Sequence, residues 1–185
     1  MPFVSRAGQK LDHALTLWAI DARERICADL GCSTGGFVDC LLQRGAAKVY
    51  AIDTGYGGLD WKLRNDIRVV VMERTNAMHV ALPEPISIVT IDVGWTKQVR
   101  ILPAAERLLS EDGQIVTLIK PHYEADRSLL RRGVLPETEV AQVVAAVRKQ
   151  VEELGWSWIN HVRSPITGSG GNIEELALLR RRGST

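Results

Sequence analysis

The sequence predicts an α/β fold in which a seven-stranded, mostly parallel sheet is covered by helices on both faces. Short apolar runs alternate with amphipathic helical patterns from end to end, the order that βαβ units around a parallel sheet require. A glycine-rich stretch, Gly31-Cys32-Ser33-Thr34-Gly35-Gly36, follows the first of these runs and opens a helical pattern, the place where such sheets bind ligands. Two later runs end on charged residues, Asp92 and Lys120, which therefore emerge at the same edge of the sheet. At 185 residues the chain reads as one domain, 1–185, long enough to bury a single core.

Leu11, Ala14, Leu15 and Trp18 recur at the i, i+3, i+4 and i+7 spacing of one helix face, so an opening helix is expected over 6–20. Strands are expected at 26–30, 48–53, 68–72, 86–92, 114–120, 157–163 and 176–180. Between them, 34–44 reads as a helix stopped by Gly45, and 100–109 as another that ends before a Glu111-Asp112-Gly113 turn. Pro136-Glu137-Thr138-Glu139 places proline and acids where a helix starts, and Val140, Val143, Val144, Val147, Val151 and Leu154 carry its apolar stripe to Gly155. The looser stretches 126–135 and 164–172 are expected to border the reactive edge.

With 45% hydrophobic and 24% charged residues the composition is that of an ordinary globular protein. The longest apolar stretches, 86–93 and 115–119, fall far short of the roughly 20 residues of a membrane span. The segment 2–10 lacks the charged-then-apolar pattern of an export leader, so a cytoplasmic protein is expected. Cys27, Cys32 and Cys40 are odd in number and lack C-x-x-C spacing, which reads as reduced core thiols with no metal site. A net charge of +1 leaves a nucleic-acid partner open, because what matters is whether basic residues cluster.

The glycine loop, headed by Asp29, identifies the ligand class. A dinucleotide site wants G-x-G-x-x-G, whose middle glycine admits a pyrophosphate, and here that position is Ser33. S-adenosylmethionine carries no phosphate, so its amino-acid end can lie along the glycines with Ser33 in place. Asp53 ends the next strand 22 residues after Gly31, close to the spacing of about 20 for an acid that accepts both ribose hydroxyls. Asn76, after the third strand, is either an adenine-edge contact or a turn residue.

At this point the chain resembles the FtsJ-like ribose 2′-O-methyltransferases, and within them the TlyA-type (hemolysin A-like) rRNA methyltransferases. The resemblance runs from about Phe3 to Arg181. It is carried by Ser5-Arg6-Ala7-Gly8-Gln9-Lys10, the glycine loop through Leu42, Asp53-Thr54-Gly55-Tyr56-Gly57, Glu73-Arg74-Thr75-Asn76, Lys120-Pro121-His122-Tyr123-Glu124, and Ser164-Pro165-Ile166-Thr167-Gly168 with Gly171-Asn172-Ile173-Glu174. It implies a Rossmann-like methyltransferase fold, S-adenosylmethionine as cofactor and RNA, specifically rRNA, as substrate. It also implies a Lys-Asp-Lys-Glu tetrad at Lys10, Asp92, Lys120 and Glu174. Gly31, Ser33, Gly35, Gly36 and Phe37 are implied along the cofactor's methionine and ribose, with Asp53 on the ribose and Asp92 in a further cofactor motif.

Such a tetrad suits the chemistry. A ribose hydroxyl must lose its proton as it attacks a methyl group in line, so a base has to be held beside it. Lysine serves when a second ammonium and partial desolvation favour the free amine. Lys120 is expected as the base, Lys10 as the like charge, Asp92 as the group that orients both lysines, and Glu174 as an anchor for Lys10 or for the substrate sugar.

Two departures bear on substrate. Gly94-Trp95-Thr96-Lys97 replaces the group's usual serine-phenylalanine pair, and Trp95 either stacks on a target base or packs inside, the packed reading being preferred. Only nine residues precede Lys10, so the RNA-binding domain usual ahead of it in that group is expected to be missing and a separate recognition partner becomes conceivable. Phosphate contacts then fall to Lys62, Arg64, Arg74, Lys97, Arg127, Arg131 and Arg132, while Arg180-Arg181-Arg182 reads as a solvated terminus. The alternatives are a non-catalytic RNA-binding or assembly factor, which an intact tetrad argues against, and an NAD-dependent oxidoreductase, which Ser33 and the lack of a hydride-transfer His or Tyr argue against.

Overall fold

The structure is a computed structural model that describes residues 2–183. Seven strands form one sheet in the order β3-β2-β1-β4-β5-β7-β6: β1 is Ile26–Leu30, β2 Lys48–Ile52, β3 Val69–Met72, β4 Ile86–Ile91, β5 Leu109–Ile119, β6 Trp156–Arg163 and β7 Glu175–Arg181. β1 pairs parallel with β2 and β4, β2 with β3, and β4 with β5. β7 inserts antiparallel between β5 and β6, which makes the sheet mixed at that side. Chain order reverses between β1 and β4, and such a switch point opens a crevice at the carboxyl ends of the strands.

Two apolar clusters cover the two faces. Helices α1 (Ala7–Leu17), α2 (Gly36–Gln43) and α3 (Trp61–Arg64) bury Leu11, Leu15, Phe37, Leu41 and Leu63 against one face. Helix α4 (Gln98–Leu108) and helix α6 (Glu137–Glu153) bury Ile101, Leu102, Val140, Val144 and Val147 against the other, with α5 (Pro121–Glu124) beside α6. The valine stripe expected of α6 is its buried face. All three cysteines are buried, and burial pushes the thiols of Cys27 and Cys40 up to about 12.

Two expectations need correction. The opening helix stops at Leu17, where Ala19 turns to a positive φ of 50° and Ile20 N–H bonds back to the Leu15 carbonyl at 2.9 Å. The Glu111-Asp112-Gly113 turn is absorbed into β5 as an irregularity, the register jumping from Ile86↔Leu109 to Ile88↔Gln114. Short α3 and α5 do not show in the sequence pattern, since one turn carries too few positions to display a period. The arginines 180–182, expected as a solvated terminus, are exposed; Arg180 and Arg181 belong to β7, and the three side chains bond to Gln114 Oε1, the Glu106 carbonyl, and the Glu152 and Trp156 carbonyls.

Candidate active site

A pocket of about 430 Å³ opens at the switch point, lined by Gly31, Ser33, Asp53, Asn76, Asp92 and Lys120 among others. Its floor exists because β1 and β4 approach closely beyond their last pairs: a side chain at Gly31, whose φ is +89°, would stand 2.6 Å from the Asp92 carbonyl oxygen. Ser33 also adopts a positive φ, of 48°, which turns its N–H onto Asp53 Oδ2 at 2.8 Å. Asp53 Oδ1 accepts from Gly55 N–H at 2.7 Å. Both oxygens are thus aimed by backbone amides, and each keeps lone pairs for further donors. Asn76 is a turn residue that accepts from Met78 N–H at 2.9 Å, and it lines the pocket.

The remaining glycine-loop residues divide. A side chain at Gly35 would strike Leu63 and Leu59, and one at Gly36 would strike Ser5 and Gly8, so these glycines let α2 lie against α3 and the start of α1. Phe37 is buried in the core and its ring borders a smaller cavity of about 110 Å³ shared with Asp29, Ser5 and Asp92. Asp29 is fully buried: Oδ1 accepts from Thr90 Oγ at 2.7 Å and Oδ2 has no hydrogen-bond partner among the described residues. Burial, with the nearby charges of Asp92 and Asp53, pushes its carboxyl up to about 8 against the opposing Thr90 hydrogen bond.

The four positions implied as a tetrad form two lysine–carboxylate pairs, each joining distant parts of the chain. Asp92 follows β4 and Lys120 follows β5, and Lys120 Nζ lies 2.6 Å from Asp92 Oδ1. The β5/β7 register pairs Ile119 with Glu175, the neighbours of Lys120 and Glu174. Lys10, on the buried face of α1, places Nζ 2.5 Å from Glu174 Oε2, with the two residues only 9% and 3% exposed. Each lysine therefore has a carboxylate partner in a partly or wholly desolvated setting, where leaving either partner unpaired is costly.

Several contributors escaped sequence reasoning. Tyr123 stacks on Trp95 with ring centroids 4.6 Å apart and on His122 at 4.1 Å, and Lys120 Nζ lies 6.0 Å from the Tyr123 ring. Trp95 is 83% exposed at the pocket mouth, in a left-handed conformation with φ 60°, so the preferred reading of a packed tryptophan is overturned. Glu124 accepts from Gln98 N–H at 2.8 Å, capping α4 from across the chain, and burial pushes its carboxyl up. Gln98 accepts in turn from Thr117 of β5 at 2.7 Å. No sequence period marks such pairs, because the partners are brought together only by the sheet order.

The basic residues expected to meet RNA separate in the same way. Arg64 bonds to Glu73, which also accepts from Gly57 and Leu59 N–H and is held down at about 2, chiefly by that guanidinium. Arg64 is thus a structural clasp for the 54–60 loop. Arg74 lies 4.1 Å from the Tyr56 ring, Lys62 sits 3.5 Å from Asp39, and Lys97 Nζ donates to the Glu124 carbonyl at 3.0 Å. Arg127, Arg131 and Arg132 are exposed on the 126–135 segment. Asn172 ties that segment to 164–172 by accepting from Leu135 N–H at 3.0 Å and donating to the Gly133 carbonyl at 3.2 Å.

Comparison with known proteins gives the family and the fold. The model of a family described as FtsJ-like methyltransferase matches residues 3–181. A 16S/23S rRNA (cytidine-2′-O)-methyltransferase TlyA of Mycobacterium tuberculosis is 42% identical over 183 residues, covering 96% of this chain and 68% of its own. A solved structure from Streptococcus thermophilus, described as a hemolysin, superposes with a TM-score of 0.95 at 39% identity, covering all of this chain (100%) and 69% of that one. An S-adenosylmethionine dependent methyltransferase of Mesorhizobium loti shares the fold, with a TM-score of 0.68 at 15% identity over 91% of this chain and 96% of that one.

Proposed function

This chain belongs to the FtsJ-like methyltransferase family, and we propose that it transfers the methyl group of S-adenosylmethionine to a ribose 2′-hydroxyl of ribosomal RNA. The reading is supported by two lysine–carboxylate pairs: Lys120–Asp92 lines the pocket, and Lys10–Glu174 is buried just before β7, the strand that pairs with β5. The relative of Mycobacterium tuberculosis, named for a cytidine-2′-O reaction on 16S and 23S rRNA, supports the substrate class.

The residues present fit the cofactor. The pocket's volume of about 430 Å³ lies in the range of small-molecule sites. Asp53 faces it with both oxygens pre-aimed, and the buried, unpartnered Oδ2 of Asp29 awaits a donor. In this reading Asp53 holds the ribose hydroxyls, Asn76 and Met78 border the adenine, and the Gly31–Ser33 turn with Asp29 holds the amino-acid end. Bound S-adenosylmethionine supplies an electrophilic methyl group on a sulfonium.

Lys120 then accepts the proton of the attacking 2′-hydroxyl at Nζ, a task open to a lysine only as its free amine. Asp92 fixes that nitrogen in place at 2.6 Å. The Lys10–Glu174 pair orients the target ribose and balances charge. Trp95, exposed and backed by Tyr123, offers a platform for a splayed-out base. Arg127, Arg131 and Arg132 meet flanking phosphates. A cytoplasmic setting belongs to the same proposal; among the described residues no helix is long and apolar enough to cross a membrane.

The test is transfer of labelled methyl groups to in-vitro transcribed 16S and 23S rRNA and to ribosomal subunits, followed by nucleoside mass spectrometry. A 2′-O-methylnucleoside is expected. Base-methylated nucleosides, or no transfer to any of these RNAs by protein that binds the cofactor, would overturn the assignment.

A further inference from the structure

Glycines at 168, 170 and 171 sit in the turn just before β7, yet they are required for different reasons. Gly170 and Gly171 adopt φ values of +68° and +82°, a conformation that side chains disfavour, whereas Gly168 lies outside that region. Its φ does not by itself exclude a side chain. What excludes a side chain at 168 is one neighbour: an added Cβ would stand 2.1 Å from Glu174 Oε1, 2.5 Å from its Cδ and 3.1 Å from Oε2.

Glu174 has little freedom to move aside. Its carbonyl accepts from Ser164 N–H at 2.9 Å, its side chain is buried, and its Oε2 holds Lys10 at 2.5 Å. Gly168 is itself fixed by donating to the Asn172 carbonyl at 2.8 Å. The bare face of Gly168 therefore walls the carboxylate on the side away from Lys10.

We propose that Gly168 is a positioning residue of the methyl-transfer reaction, its missing side chain being what seats the Glu174 carboxylate against Lys10. The three atoms nearest an added methyl group all belong to the end of the Glu174 side chain, so the expected result of the substitution is displacement of that carboxylate from Lys10. The proposal rests on the reading above that this pair belongs to the reacting site.

The test is a double-mutant cycle of Gly168→Ala and Glu174→Asp, read by methyl transfer from labelled S-adenosylmethionine to rRNA and ribosomal subunits, with cofactor binding by calorimetry. Gly168→Ala is expected to lower kcat about 100-fold, the cost of a misplacement of about 1 Å, with cofactor Kd changed less than about twofold. Shortening Glu174 to Asp withdraws the carboxylate from the clash. In that background Gly168→Ala should then change kcat less than about twofold. An equal loss in both backgrounds, or a wild-type kcat in the single variant, overturns the proposal.

Should Gly168→Ala alone not fold, folding of the double variant supports the same coupling and its failure to fold opposes it. A crystal structure of Gly168→Ala gives a reading independent of activity, and separates this proposal from the methyltransferase assignment if the wild type is inactive on these RNAs. Glu174 Oε2 is expected beyond hydrogen-bond reach of Lys10 Nζ, and retention of the pair at its present distance overturns the proposal.

Discussion

Lys120 Nζ stands 2.6 Å from Asp92 Oδ1, joining the ends of two neighbouring parallel strands in the wall of the pocket at the switch point. The pair fixes a nitrogen in the pocket wall, and the base role proposed for that nitrogen is tested by substitution.

Lys120→Ala should leave cofactor affinity nearly intact and slow single-turnover methyl transfer by ~10²–10⁴-fold, the usual contribution of a positioned base. Lys120→Arg should not restore it, because a guanidinium stays protonated. Near-normal rates in the arginine variant would show that a positive charge, and not proton abstraction, is needed at 120.

Asp53→Ala removes an acceptor that is aimed by Ser33 and Gly55 amides. Binding of S-adenosylmethionine should weaken by roughly 1.5–3 kcal/mol, as for a hydrogen bond to a charged group. Calorimetry decides, and an unchanged Kd would place the ribose elsewhere in the pocket.

Asp29→Asn should change how stability depends on pH. Burial raises the Asp29 carboxyl to about 8 in the folded chain, against an ordinary value of 3.8. Between these values the unfolded chain has released a proton that the folded chain keeps, so stability falls as pH rises from about 4 to about 8 and levels off above. Asparagine keeps an acceptor for Thr90 and cannot ionise. Denaturation midpoints should therefore favour the variant over wild type more at pH 8 than at pH 5. A difference independent of pH would mean that Asp29 ionises freely in place.

RNA affinity of this chain alone should be weak and fall steeply from low to physiological salt, since surface arginines on phosphates carry most of it. Replacing Arg127, Arg131 and Arg132 together by alanine should flatten the dependence of log K on log salt by ~0.7–0.9 for each phosphate no longer neutralised. A salt slope unaffected by the triple substitution would remove the 126–135 segment from the RNA surface.

The parallel core, the crevice and half of the site are legible in the sequence. Strands β1 to β5, the glycine loop and the charged ends at Asp53, Asp92 and Lys120 are local features: apolar period, a turn that needs positive φ, and charge placed where a buried run must stop. Each can be read within about a dozen residues because it reflects which face of one element is buried. Resemblance added Lys10 and Glu174 to the same site, but their contact spans 164 positions and no period encodes it.

The remainder emerges only in the closed fold. There β7 inserts antiparallel between β5 and β6, and that register pairs Ile119 with Glu175, the neighbours of Lys120 and Glu174. Trp95 stacks on Tyr123 at the pocket mouth, Arg64 is taken up by Glu73, and Gly168 answers to a carboxylate six positions away in sequence. The reason is that partner choice among distant groups depends on strand order and register, which are set by the sum of many small packing energies over the whole sheet. A window of sequence reports which residues are buried or turned, and the assembled sheet reports against what.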